Sequence, residues 1–115
     1  MNNQYLSPEQ QAVLDCIPAG HKEAISRRRL VEKSRLNERR VRKIIFSLIV
    51  KHGIPIGSCT GKDGGGYFVI QSYDDLTIAM MHLRPRAKKI FLRIRALENI
   101  AREKFSGQLK LVITE

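Results

Sequence analysis

A chain of 115 residues, 43% of them hydrophobic, has room for one compact domain with a real core and some appendage. Its 21 Lys and Arg against 11 Asp and Glu leave a formal charge of +10, which points to polyanions: nucleic acid, an acidic protein surface or an anionic membrane. No apolar run approaches the ~18 residues of a membrane span, and Cys16 and Cys59 stand alone with no histidine at ligand spacing, so a spanning helix, a disulfide framework and a metal site are set aside.

The first residues, Met-Asn-Asn-Gln-Tyr, carry neither the basic start nor the apolar core of a signal peptide, and the expectation is a cytoplasmic protein. Ser7-Pro8-Glu9-Gln10 announces a first helix, with Ser7 as cap, Pro8 in the first position and Gln10 closing a capping box. Val13, Leu14 and Ile17 supply its buried stripe, with Ala12 at the edge; Pro18 and Gly20 end it. Lys22 to Ile25 reads as a short extended link.

Ser26 caps a second helix, Arg27-Arg28-Arg29-Leu30-Val31-Glu32-Lys33, with Ile25 and Leu30 as a staple across the cap. Three arginines in a first turn oppose the helix dipole. A phosphate bound there would offset that conflict, which makes Arg27 and Arg28 candidates for backbone contacts. The other reading is that these side chains only reach into solvent.

After a turn of four residues comes a third helix, from Leu36 to Gly53, capped by Asn37 and stopped by Gly53. At roughly 100° per residue, Val41, Ile44, Ile45, Leu48 and Ile49 share one side. Arg39, Arg40, Lys43 and Ser47 point away, with Arg42 at the border. An apolar back and an arginine-rich front suit a helix lying in a DNA groove; a solvated surface face is the plainer account. Two short helices joined so tightly, the second basic, form a helix-turn-helix pattern, although Ser34-Arg35 stands where a glycine is often found.

Ile54-Pro55-Ile56-Gly57-Ser58 reads as an edge strand, residues 60–66 as a turn of little bulk, and Tyr67-Phe68-Val69-Ile70 as a second strand. A glycine-tipped hairpin after three helices is the order of a winged helix. The glycines would let the wing approach a sugar-phosphate backbone, with Lys62 as its charge. A nucleotide-binding phosphate loop fails on context, since no G-K-[ST] occurs and a strand follows.

The run Ile25-Ser26-Arg27-Arg28…Leu30, then Arg39…Val41-Arg42…Ile44…Leu48, then Gly53…Pro55-Ile56-Gly57-Ser58…Gly64-Gly65-Gly66-Tyr67 resembles small winged-helix proteins of bacteriophages and prophages. More distantly it is similar to the DNA-binding domain of the biotin repressor; nothing corresponds to a ligase domain, so no biotin or other cofactor is implied. The resemblance covers residues 25–70. It implies a third helix in the major groove and a wing on the backbone, roles that would fall on Arg39, Arg40, Arg42, Lys43, Ser47 and Lys62. It also implies action in a bacterial host's cytoplasm.

From Ser72, a cap with Asp75 as its box partner, a helical arm carries Leu76, Met80, Leu83, Ala87, Ile90, Ile94, Leu97 and Ala101 at alternating spacings of four and three. That heptad rhythm suggests a coiled-coil homodimer through Leu83, Ala87, Ile90, Ile94, Leu97 and Ala101. The alternative is a helix folded back on its own domain, which Phe91, Leu92 and Ile100 favour by broadening the stripe. Pro85 should kink or break the arm near Met81 to Arg84, so that the part before it could complete the domain core while the part after it pairs with another subunit.

The expected architecture is therefore mainly α with a small β-hairpin. It comprises a winged helix-turn-helix over residues 1–71, a kinked helical arm over 72–106, and a tail or short strand over 107–115. No constellation of acids, nucleophile and base suggests an enzyme. The expected function is sequence-specific binding of double-stranded DNA, in transcriptional regulation or replication. The rival is a protein-interaction module docking on host transcription or replication machinery, since winged helices also bind proteins.

Overall fold

Side-chain caps mark where the helices begin in the computed structural model, which describes residues 5–61 and 65–105. Lys62, Gly64 and the tail 107–115 lie outside the described residues. The elements are α1 (Pro8–Asp15), a 3-10 turn (His21–Glu23), α2 (Arg27–Ser34), α3 (Glu38–Val50), β1 (Ile56–Cys59), β2 (Gly66–Val69) and α4 (Tyr73–Lys104). Ser7 accepts from the Gln10 amide while the Gln10 side chain accepts from the Ser7 amide. Ser26 and Asn37 accept from Arg29 and Arg40 in the same way. Each such cap satisfies a donor the helix leaves free and is worth ~1 kcal/mol.

The molecule is mainly helical, with one antiparallel hairpin and a long C-terminal helix. Residues up to His82 form one compact unit; the segment from Leu83 forms a second. Among the described residues, no helix is long and apolar enough to cross a membrane.

In the first unit, Val13, Ile17, Ile25, Leu30, Val41, Ile44, Ile45, Leu48 and Ile56 make the core of the three-helix part. Ile17 reaches it from beyond α1, because that helix already stops at Asp15, three residues ahead of Pro18. Ile49, expected on the buried face of α3, lies instead at the rim of that face and is partly exposed. The turn from α2 to α3 is closed by Arg35 in the left-handed region, at φ 63°. That is the backbone conformation for which glycine would be the ordinary choice, and it costs another residue roughly 1–2 kcal/mol.

The hairpin pairs Ile56 with Val69 and Cys59 with Gly66. Its second strand is covered on the other side by the link between α1 and α2. Ile25 and Tyr67 exchange two backbone hydrogen bonds of 2.9 and 2.8 Å, and Val69 bonds to Pro18 and Gly20. The extended link expected over residues 22–25 is thus a 3-10 turn followed by a single bridging residue.

Phe68, fully buried, fills the space under the start of α4 with Gly57 and Ala79 around it. A Cβ on Gly57 would meet Ala79 Cβ at 2.7 Å, so the missing side chain is what lets α4 sit on the strand. Asp75 and Ala79, rather than the expected Leu76 and Met80, are the buried residues of α4. Of the kink or break expected at Pro85, the break is not made: the helix runs through it. A proline there removes one backbone hydrogen bond, that to the carbonyl of Met81 four residues earlier, on an exposed stretch of the helix.

Asp75 ties α4 to the rest of its unit. Its own amide donates to Ser72 Oγ, but its carboxylate accepts from the Gln71 and His21 amides and from the His21 ring, Nδ1 lying 2.7 Å away. The expected capping box is therefore only half made, since the carboxylate serves a partner distant in sequence. The Gln71 amide, then the His21 ring, push its pKa down from 3.8 to about 2. A carboxyl that is more acidic in the folded state stabilises the fold above its unfolded pKa and ceases to do so as pH falls through the folded value. Asp75→Asn is expected to lower the thermal midpoint at neutral pH and to flatten its decline between pH 4 and 2. An unchanged acid limb would show that the latch carries no such weight.

Candidate nucleic-acid interface

The face of α3 turned away from the core is a ridge of four residues. Arg39, Lys43, Phe46 and Val50 follow one another at intervals of four, three and four, opposite the buried Val41, Ile44, Ile45 and Leu48. All four are exposed, Phe46 to 65%. Neither Arg39 nor Lys43 has a partner among the described residues, so both cations are available to a ligand. At ~100° per residue Phe46 belongs to the charged side, and it is the residue that a reading of charges alone misses.

The other basic candidates are engaged. Arg40 turns toward α1, 2.6 Å from Glu9. Ser47 is half-buried on the same side and its Oγ accepts from Gln10 at 3.3 Å. On the opposite flank Glu38 receives both Arg42, at 2.8 Å, and Arg27, at 3.1 Å. Arg28 faces Glu32 at a loose 3.8 Å. The sites expected from sequence thus split into an unpaired centre, Arg39 and Lys43, and a paired rim of Arg27, Arg28, Arg40 and Arg42. Lys62 lies outside the described residues.

Every one of these rim pairs is about half exposed or more. Ion pairs of that kind are worth only ~0–1 kcal/mol. A phosphate oxygen offers the same arginines an equivalent charge-assisted contact, so exchange is cheap. What the pairs do structurally is orient: Glu38 holds α2's first turn to α3, and Glu9 with Gln10 holds α1 to it. A further open cleft of about 490 Å³ is lined by Arg29 and Lys33 of α2, Ser26, Glu23 and Gly65. Arg29 and Lys33 were not singled out in the sequence.

Two glycines of the hairpin turn, Gly65 and Gly66, lie against other parts of the chain. A Cβ on Gly66 would fall 2.0 Å from the carbonyl oxygen of Ile25, and one on Gly65 would fall 2.4 Å from that of Cys59. They accommodate the protein's own backbone. Comparison with protein-family models, curated proteins and solved structures finds no match to this chain.

Proposed function

We propose that this chain is a sequence-specific double-stranded DNA-binding protein of phage or prophage type, built as a winged helix-turn-helix. Helix α3 enters the major groove, the hairpin lies along the backbone as the wing, and the protein regulates transcription or assists replication in a bacterial cytoplasm. The observation that carries this reading is the α3 ridge, with two unpaired cations at its centre and arginines on both flanks. Arginine and lysine at the centre can read guanine edges, and an apolar residue such as Phe46 can pack on a thymine methyl. The flanking arginines fit phosphates, which fix register without reading sequence.

The test is selection of bound fragments from random duplex DNA, followed by titration of the enriched site against salt. An enriched motif is expected, with log affinity falling against log salt at a slope of about −3 to −4 if four flanking arginines meet phosphates. No enrichment and no salt dependence would overturn the proposal.

A second reading is favoured by Phe46 and Val50, because exposed apolar residues on a basic ridge also suit an acidic protein surface. Host transcription or replication machinery is the partner class. Capture of one host protein that survives nuclease treatment, and is lost in Phe46→Ala, would replace the DNA reading with this one.

A further inference from the structure

In the segment from Leu83 onward the apolar side chains are uncovered. Leu83, Ile90, Ile94 and Leu97, with Phe91, Ile100 and Phe105 beside them, are each between 46 and 70% exposed. So large an apolar face on one helix marks an interaction surface. At half exposure each offers on the order of 100 Å², together roughly 700 Å² per chain, close to the ~800 Å² per partner of a stable interface.

Spacing says what kind of partner fits. Leu83, Ala87, Ile90, Ile94, Leu97 and Ala101 alternate by four and three, so they are the d and a positions of successive heptads. A surface at that period is matched by another helix of the same period. Pro85 falls at f, the position farthest from such a seam.

Charge chooses the partner and its direction. In this register Arg86, Arg93 and Ile100 occupy g, and Arg84, Phe91, Glu98 and Phe105 occupy e. A parallel pair sets each g residue against the e residue five places on in its partner. Arg93 then meets Glu98 of a second copy, and Ile100 meets Phe105, each twice by symmetry. Neither Arg93 nor Glu98 has a partner within the described chain. In an antiparallel pair with Ile94 over Ile90, Arg93 would instead face its own copy; with Ile94 over Leu97, it would face Ile100. Neither arrangement gives Arg93 a carboxylate; the first does pair Glu98 with Arg84 of the other copy, but it also sets the two Arg93 side chains against each other, a repulsion the parallel form avoids.

From this we infer that α4 beyond Leu83 forms a parallel, in-register two-stranded coiled coil with a second copy of this chain. Arg93–Glu98 pairs of opposite chains fix the direction. The inference rests on α4 alone and stands apart from the DNA reading. A parallel coil does mean that both N-terminal units precede the same end of it.

Sedimentation of the full chain at micromolar concentration is expected to show a dimer. Ile94→Asp should weaken it by roughly 100-fold or more, since it buries an unpaired charge, while the circular dichroism of the N-terminal unit persists. Glu98→Arg should weaken association, and adding Arg93→Glu in the same chain should restore it. Leu97→Cys, at a seam position that meets itself only in the parallel form, should give a covalent dimer on oxidation that the wild type, with Cys16 and Cys59, does not. A wild type that remains monomeric as concentration rises would overturn the inference. So would a dimer in which Leu97→Cys fails to cross-link and the charge exchange fails to rescue.

Discussion

Arg39→Ala combined with Lys43→Ala is expected to weaken binding to the selected duplex by roughly 2–5 kcal/mol, about 30- to several thousand-fold. Each contact to a base edge is worth ~1–3 kcal/mol of discrimination, and two residues one turn apart do not add fully. Both side chains are exposed and unpaired, so the thermal midpoint should barely move. Arg40→Ala and Arg42→Ala serve as the contrast. They should weaken binding uniformly across sequences and lower the salt slope by about one each, as phosphate contacts do. Titrations of the three variants against the enriched site and a scrambled one separate these outcomes. If the double variant binds both as the wild type does, α3 is not the reading element.

Gly66→Ala is expected to be the most damaging single change to the N-terminal unit, and to act on stability before it acts on binding. Gly66 has φ 138°, a region that side-chain-bearing residues enter at a cost of order 1–3 kcal/mol. The added methyl would also be driven into the Ile25 carbonyl, 2.0 Å away, and would prise apart the Ile25–Tyr67 hydrogen bonds, worth ~1 kcal/mol each. Together about 3–5 kcal/mol is at stake, a large share of the ~5–15 kcal/mol that holds a domain together. The thermal midpoint should drop by more than ~10 °C. A well-folded Gly66→Ala that had lost only DNA affinity would return this glycine to the role the sequence suggested, approach to an external backbone.

That glycine illustrates where the sequence stops being informative. The caps at Ser7, Ser26 and Asn37 are legible because donor and acceptor lie three residues apart and the chemistry is local. The buried stripe of α3 is legible for the same reason, through its period. Phe46 does not stand out in the sequence although its angle puts it on the charged side, because a phenylalanine in an amphipathic helix is ordinarily core. Gly66 has its reason in Ile25, and Asp75 has its reason in His21; no local pattern announces either. The heptad series misled at its beginning. Its first members, Leu76 and Met80, share the rhythm of the arm, yet Phe68 and Gly57 turn Asp75 and Ala79 inward instead. Pro85 does not end the helix, since one lost hydrogen bond is tolerable inside a helix of 32 residues.

The bonds that cover β2 also set an order of events. Helices α1, α2 and α3 close on neighbours, whereas Pro18, Gly20 and Ile25 of the link between α1 and α2 have no long-range backbone partner until Tyr67 and Val69 have been made. Asp75 and His21 meet across 54 residues, a closure whose length-dependent entropy is about 3.5 kcal/mol. During synthesis the helical part can therefore collapse early, while residues 18–25 wait. Because its contacts lie far apart in sequence, docking of the hairpin onto that waiting segment is expected to be the slow step.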